Sequence, residues 1–153
     1  MSKKDKKSLI DKNVASVKNE TNYLNKNVAT LIGNNENGDD FKVIISFIHL
    51  QNSYQCFSDW SKQEMNEFWN FYKKIHGFSW QLVYSTSGKT QKNGFAYTVI
   101  PISKYPNKDF KEKLSKDITI FELRVNQKIR VHGFRNKAVF YICWLDRNHE
   151  ITS

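Results

Sequence analysis

Three short apolar segments, closely spaced in the last third of the chain, most constrain how this sequence can fold. The segments are Ile118–Val125, Lys128–Phe134 and Ala138–Leu145, and each is rich in β-branched and aromatic residues. Only two or three polar residues separate one segment from the next, Asn126-Gln127 and then Arg135-Asn136-Lys137. Runs of this kind joined by short polar links are typical of β-hairpins. They predict a three-strand antiparallel meander whose last strand, apolar on both faces, lies inside the sheet.

The most distinct helix signal lies earlier in the chain, at 61–76. Ser61 and Glu64 have the spacing of a capping box, in which each side chain bonds the backbone amide of the other residue. Gly77 follows where a helix C-cap is expected. Apolar residues recur between them at helical spacing and predict one buried face: Met65, Phe68, Trp69, Tyr72 and Ile75. A second, shorter helix is predicted at Trp80–Tyr84.

Two further strands complete the predicted architecture. Phe41–Leu50 is apolar with little polar alternation, which predicts a central strand covered on both faces. Phe95–Ile100 is a second candidate strand, ended by Pro101. A lysine-studded connection, residues 102–117, leads into the meander. This order predicts a single α+β domain at 27–153, with a mostly antiparallel sheet that ends in the meander and one long and one short helix packed on one face.

The net charge of +9 is unevenly distributed along the chain. Residues 1–26 carry seven Lys against three acidic residues, residues 27–103 are neutral overall, and residues 104–153 carry eleven Lys and Arg against six acidic residues. All four arginines lie in the last thirty residues, and their planar donor forks suit phosphate and carboxylate. We expect 1–26 to be a flexible basic arm, and the distribution favours a polyanionic partner, most often nucleic acid. A lysine-rich chain that is merely well solvated is the alternative.

Several classes of protein are disfavoured by what the sequence lacks. No apolar run approaches the roughly 20 residues of a transmembrane helix, and no apolar segment follows the basic N-terminus, so we expect a cytoplasmic protein without a membrane partner. Cys56 and Cys143 are too few for a disulfide framework and are expected to be buried thiols. Phosphate-loop, nucleophile-elbow and zinc-protease motifs are missing, and the four histidines do not have metal-ligand spacing. We therefore expect neither a cofactor nor a metal.

Side-chain alternation along the first two strands of the meander gathers charged residues on one face. Glu122 and Arg124 share a face, as do Arg130 and His132, if both apolar rows point to the core. A three-residue loop, Asn126-Gln127-Lys128, then sets Arg124 opposite Arg130 and Glu122 opposite His132. Facing like charges cost up to about 1 kcal/mol, so we expect an anion or a carboxylate to relieve the repulsion. A solvated face in which Glu122 pairs with one arginine is the alternative.

The residues of the meander resemble a known family. Lys128-Ile-Arg-Val-His-Gly-Phe134, Val139-Phe-Tyr-Ile-Cys-Trp-Leu-Asp146 and His149 are similar to the final strands of the RelE/HigB/YoeB-like toxin superfamily, small basic mRNA endonucleases of bacterial toxin–antitoxin systems. The order of strand, two helices and meander is similar as well. The resemblance implies a RelE-like fold, RNA or ribosome-bound mRNA as substrate, and an acidic antitoxin protein as a partner. The basic arm and the ending His149-Glu-Ile-Thr-Ser153 depart from the family pattern.

The resemblance also implies roles for individual residues. Arg130 matches the strand arginine of the family and His149 its C-terminal histidine, while Glu122 and Arg124 occupy flanking positions. With His132 these residues form the candidate catalytic set, in which the arginines stabilise a charged transition state and Glu or His moves the proton. Candidate RNA-binding residues are spread over the same region: Lys128, Arg135, Lys137, Arg147 and Tyr141.

Three hypotheses for the function follow from these residues. The first is a metal-independent endoribonuclease toxin that cleaves mRNA through attack of the 2′-hydroxyl on the adjacent phosphate. The second is a non-catalytic module of the same fold that binds nucleic acid or an acidic protein with the same face. Because binding needs only Arg and Lys, the proton-transfer groups distinguish the two. In the third, the protein is an unrelated α+β protein whose arginines serve only structural ion pairs.

Overall fold

The computed structural model describes residues 38–88 and 90–153. The predicted arm, 1–26, lies outside the described residues, as does the first part of the predicted domain, 27–37. Within them the chain forms three α-helices and five β-strands. In chain order these are β1 (Ile44–Ser46), α1 (Lys62–Ile75), α2 (Trp80–Ser85), β2 (Thr98–Val99), α3 (Lys108–Lys113), β3 (Phe121–Arg124), β4 (Arg130–Asn136) and β5 (Val139–Asp146).

The strands form one mixed sheet in the order β1-β5-β4-β3-β2. The meander of β3, β4 and β5 is antiparallel throughout, and β2 adds to β3 in the antiparallel sense. β1 pairs with β5 in parallel, with Ile44 opposite Val139. The α+β class and the interior position of β5 are therefore confirmed, whereas the sheet is not antiparallel at every pair.

The prediction of a long central strand at Phe41–Leu50 is wrong. Only Ile44–Ser46 pair with β5, and they form an edge of the sheet. Beyond Ser46 the chain turns, with the amide of Leu50 bonded to the carbonyl of Phe47, and Ile48 is 76% exposed. The apolar run predicted too long a strand because Phe47 packs beside Phe57 and Phe68 after the chain has left the sheet. Phe47 is therefore apolar because of its contacts with a helix and a loop, and not because of strand pairing.

Helix α1 begins as its sequence predicts. The amide of Glu64 donates to Oγ of Ser61 at 3.2 Å, and the amide of Ser61 donates to Oε2 of Glu64 at 3.0 Å, which completes the capping box. The buried face is narrower than predicted and consists of Phe68, Phe71 and Ile75. Trp69 is 54% exposed because successive helical residues are rotated by about 100°, which carries it off the face that holds Phe68.

Both faces of the sheet are covered. One face packs against α1 and α2 in the larger apolar core, which includes Phe68, Trp80 and Phe121. The predicted helix layer of one long and one short helix is therefore present on this face. The opposite face carries a second, smaller core that contains Trp144 of β5 and Phe110 of α3. The lysine-studded connection, 102–117, supplies part of this second cover through Tyr105, Phe110 and Leu114, and Ile100 and Ile118 on either side of it pack there as well.

A β-bulge between His132 and Gly133 changes which side chains of the meander face each core. A Cβ atom at Gly133 would lie 1.8 Å from the carbonyl oxygen of Tyr141, so only glycine permits this approach of the two strands. The pairing passes from Gly133 opposite Ile142 to His132 opposite Trp144, so Cys143 is the extra residue of β5 and both Cys143 and Trp144 lie in the second core, where Tyr105 packs against His132. No helix within the described parts of the chain is long and apolar enough to cross a bilayer.

Candidate functional site

The strand register brings four charged residues of the meander together as the sequence predicts. Arg124 lies opposite Arg130, and Glu122 lies opposite His132. The three-residue loop is also confirmed, because the amide of Val125 bonds the carbonyl of Ile129 across it. On the other side of β4, Arg130 lies opposite Asp146 of β5 in the strand register. Arg124, Arg130 and Asp146 thus lie side by side across three neighbouring strands. Glu122 and His132 lie two residues further along β3 and β4.

Arg124 and Arg130 line an open cleft of about 610 Å³ at this end of the sheet. Its walls are α1, the loop that precedes β2 and the turn between β3 and β4, and Phe71 and Phe95 contribute apolar surface. The charged residues of the lining are Glu67, Lys74, Lys92, Arg124 and Arg130. Four cations therefore face one carboxylate, which makes the cleft strongly attractive to an anion.

The two cleft arginines are held in place by backbone carbonyl groups. Nη2 of Arg124 donates to the carbonyl oxygens of Lys92 and Gly94, at 3.2 and 3.0 Å. Nη1 of Arg130 donates to those of Asn126 and Ile129, at 2.8 and 3.1 Å. Among the described residues neither guanidinium lies within ion-pair distance of a carboxylate. Neutral acceptors thus orient both side chains, and Glu122 and Asp146 act on Arg130 only from beyond ion-pair distance.

Burial lowers the pKa of the Arg130 guanidinium, and the neighbouring charge of Arg124 acts in the same direction. The carboxylates of Glu122 and Asp146 oppose this change. Arginine stays protonated in proteins, so the predicted repulsion between the two arginines is real and is relieved in part by carboxylates of the chain itself. Burial also lowers the pKa of Lys74 on the facing helix, again with a contribution from Arg124.

Behind the arginines, His132 belongs to a buried hydrogen-bond network. Its side chain is fully buried, with Nε2 at 3.2 Å from Oδ2 of Asp146 and at 3.8 Å from Oε2 of Glu122. Nδ1 lies 3.0 Å from the hydroxyl of Tyr105. An ionised carboxylate only accepts, so Nε2 donates to Asp146, and Nδ1 forms its hydrogen bond with the Tyr105 hydroxyl. Both ring nitrogens are satisfied inside the protein, which makes His132 a structural member of the site.

Asp146 connects this network to the C-terminal residues. Its carboxylate accepts the amide of Glu150 at 2.8 Å and the amide of Ile151 at 3.1 Å, in addition to His132. Burial by itself raises the pKa of Asp146, but these hydrogen bonds outweigh it and hold the pKa below its usual value. Asp146 is therefore an anion that fixes both His132 and the turn that carries His149.

His149 lies on that turn, with its backbone in the left-handed region at φ 56° and its side chain 33% exposed. Its Nε2 is 2.8 Å from Oγ1 of Thr152 and 3.8 Å from Oε2 of Glu122. The Thr152 hydroxyl in turn donates to Oε2 of Glu122 at 3.2 Å. The structure thus brings His132 and His149 together on either side of the Glu122 carboxylate, each with Nε2 at 3.8 Å from Oε2. Tyr105 and Thr152 were missed at the sequence level, because no local motif marks either residue.

Two predicted RNA-binding arginines are engaged in intramolecular ion pairs. Nη1 of Arg135 lies 2.9 Å from Oδ1 of Asp39, and the guanidinium stacks over the Trp80 ring at 4.7 Å. Nη2 of Arg147 lies 2.9 Å from Oε1 of Glu64, the capping residue of α1. Arg135 is five residues along β4 from Arg130, about 16 Å at about 3.3 Å per residue. The structure therefore does not bring Arg135 to the cleft.

The remaining predicted RNA contacts are dispersed. Lys128 is exposed in the turn beside the cleft, and Lys137 is exposed in the turn at the other end of the meander. Tyr141 is half-buried and stacks on Phe134 with ring centroids 5.1 Å apart, so its ring is already packed within the protein. Lys74 and Lys92 were missed, because only the tertiary structure places the helix and the loop beside β3.

No cluster of three or more His, Cys, Asp and Glu side chains in the described residues has an arrangement that could hold a metal ion. Cys56 and Cys143 are both unpaired thiols; Cys143 is buried, which raises its pKa to about 12, and Cys56 is half-buried. No protein-family model, curated protein or solved structure matches this chain. The functional assignment therefore depends on the geometry of the cleft and of the network behind it.

Proposed function

We propose that this chain binds RNA in the basic cleft and cleaves it without a metal ion, as a ribonuclease toxin of a toxin–antitoxin pair. The observation that carries the proposal is the cleft itself, where Lys74, Lys92, Arg124 and Arg130 face a single carboxylate. Backbone carbonyls orient both arginines in advance, so a phosphodiester meets fixed donors and little ordering entropy is lost on binding. Arginine forks are the side chains best suited to phosphate oxygens.

The cluster behind the cleft supports a chemical step. Arg130 lines the cleft and is also the strand neighbour of Asp146, three residues before His149. In the proposed reaction His149 takes the proton of a ribose 2′-hydroxyl, the 2′-oxygen attacks the adjacent phosphorus, and the bond to the 5′-oxygen breaks. The departing 5′-oxygen takes a proton from water, the hydroxide left behind takes the proton from His149, and the products are a 2′,3′-cyclic phosphate and a 5′-hydroxyl. Arg124 and Arg130 stabilise the additional negative charge on phosphorus.

The roles within the cluster differ from one another. Glu122 and His149 are 3.8 Å apart, too close to act as separate acid and base on opposite sides of a phosphorus atom. Glu122 therefore serves as the partner of His149, and His149 as the base. His132 is fully buried and contributes by holding Asp146.

A non-catalytic nucleic-acid-binding module is the second candidate, favoured by one specific observation. His132, Asp146 and Tyr105 satisfy one another's hydrogen bonds without any ligand, as a purely structural network does. In that case the cleft binds RNA and His149 has no chemical role.

Short fluorescein-labelled single-stranded RNA, with EDTA present, separates these candidates. We expect Arg130→Ala to weaken RNA binding by about 10- to 100-fold, from the loss of charged hydrogen bonds. His149→Ala should abolish cleavage and keep RNA affinity. Lys104→Ala, which removes an exposed positive charge from the connection, is the control and should bind like the wild type.

Wild-type binding without cleavage, unchanged in His149→Ala, would select the non-catalytic module. A wild type with no RNA affinity, together with an Arg130→Ala variant destabilised by several kcal/mol, would overturn both candidates and assign the arginines to structure. In bacterial cells, expression of the wild type should arrest growth, and expression of His149→Ala should not.

A further inference from the structure

A three-membered hydrogen-bond chain links Glu122 to His149 through the hydroxyl of Thr152. The Thr152 hydroxyl lies 3.2 Å from Oε2 of Glu122 and 2.8 Å from Nε2 of His149. We propose that Thr152 is a positioning residue that holds neutral His149 in the Nε2–H tautomer and so makes Nδ1 its basic nitrogen. The inference concerns the base of the proposed function and rests on that function for its catalytic consequence.

The direction of the chain follows from the count of protons. An ionised Glu122 offers only acceptors, so the single proton of the Thr152 hydroxyl is directed to the carboxylate. The hydroxyl oxygen then presents only lone pairs to His149, and Nε2 must donate to it. A neutral imidazole carries one N–H, which leaves the lone pair on Nδ1. No described residue forms a hydrogen bond with Nδ1 of His149, so this nitrogen is available to take a proton.

Backbone contacts around His149 hold the hydrogen bonds between Glu122, Thr152 and His149 in place. Asp146 accepts the amides of Glu150 and Ile151, and the Ile151 side chain is 7% exposed in the second core. These contacts turn the chain back so that Thr152, the penultimate residue, meets β3 at Glu122. The left-handed backbone of His149 starts the turn, a conformation that a non-glycine residue adopts only where surrounding contacts require it.

The hydrogen-bond partners of the two nearby carboxylates, Asp146 and Glu122, explain why Glu122 is the one that accepts the Thr152 hydroxyl. Asp146 on β5 is already bonded to His132 of β4 and to two backbone amides. Glu122 on β3 is the carboxylate that remains for Thr152; it also acts electrostatically on Arg130 of β4, and Tyr105 packs against His132 behind it. Of the ionisable groups described near His149, Glu122 is therefore the one that the hydroxyl connects to the ring.

The experiment compares Thr152→Val, which has the shape of threonine without the hydroxyl, with Thr152→Ser, which keeps the hydroxyl. The ¹⁵N chemical shifts of the His149 ring in the full-length protein report which nitrogen carries the proton, and RNA cleavage across pH reports the catalytic consequence. We expect the Nε2–H tautomer in the wild type and in Thr152→Ser, and a mixture of tautomers in Thr152→Val. Cleavage by Thr152→Val should fall about tenfold with its pH profile displaced, at unchanged RNA affinity.

Ser153→Ala is the matched control, because the Ser153 hydroxyl bonds the carbonyl of Glu150 and neither Glu122 nor His149. A wild-type His149 that carries its proton on Nδ1 would overturn the inference whether or not Thr152→Val folds. So would a folded Thr152→Val with the wild-type tautomer. If the tautomer changes as expected but no variant cleaves RNA, the positioning role stands and the proposed catalytic function fails.

Discussion

The four arginines fall into two pairs with different surroundings. Arg135 and Arg147 form ion pairs with Asp39 and Glu64, both at 2.9 Å, and tie together segments that are far apart in sequence. Arg124 and Arg130 instead bond backbone carbonyls and line the cleft. An arginine neutralised by a carboxylate serves the fold, whereas an arginine oriented by neutral acceptors keeps its charge for an external anion. Sequence proximity places all four in one basic region, and only their partners separate the two roles.

Removing Arg135 tests whether the ion-paired arginines serve to stabilise the fold, and it should have the largest effect. Arg135→Ala removes the ion pair to Asp39, the hydrogen bond that Nη1 donates to the Tyr84 hydroxyl oxygen and the stacking on Trp80. We expect a loss of about 2–3 kcal/mol in the free energy of unfolding, measured by urea titration, and unchanged RNA affinity. Arg135→Lys, which keeps the charge without the planar fork, should recover only part of the loss. A fully stable Arg135→Ala with weakened RNA binding would place Arg135 among the RNA contacts instead.

The pH dependence of stability examines the carboxylate beside Arg130. The pKa of Asp146 in the folded protein is below its usual value, so its ionised form stabilises the fold above the unfolded-state pKa of about 3.9. That contribution is lost as the pH falls through the folded-state pKa. Asp146→Asn should therefore be less stable at pH 7, by about 1–2 kcal/mol, and should lose stability less steeply below about pH 4. Parallel acid-denaturation curves for wild type and variant would show that Asp146 does not carry this charge.

The salt dependence of RNA binding tests whether the cleft, rather than the net charge of the protein, attracts RNA. It has the smallest expected effect. Lys92 and Lys104 are both exposed lysines, but only Lys92 lines the cleft. Lys92→Ala should weaken RNA binding a few-fold and reduce the slope of log affinity against log salt by about 0.7, the value for one phosphate contact on a single strand. Lys104→Ala should leave the slope unchanged. Equal slopes for the two variants would mean that the attraction comes from net charge and not from the cleft.

The features that the sequence predicted well are those governed by neighbouring residues. The capping box of α1 needs only Ser61 and Glu64, three positions apart, and it is present. The register of Arg124 opposite Arg130 follows from strand alternation and a three-residue turn, both local properties, and it is confirmed. Exposure along α1 was less predictable, because Trp69 is a large aromatic residue like its buried neighbours Phe68 and Phe71 and only its angular position removes it from the core.

The amino-acid sequence by itself determined the meander, the first helix and the row of arginines, because turn chemistry, capping and side-chain alternation act over a few residues. Only the tertiary structure decided that β1 is a parallel edge strand, that the connection covers the second face of the sheet, and that Lys74 and Lys92 complete the cleft. It also decided that Thr152 meets Glu122, thirty residues earlier in the chain. These arrangements join segments far apart in sequence, and their stability comes from burial and hydrogen bonds that no local pattern records.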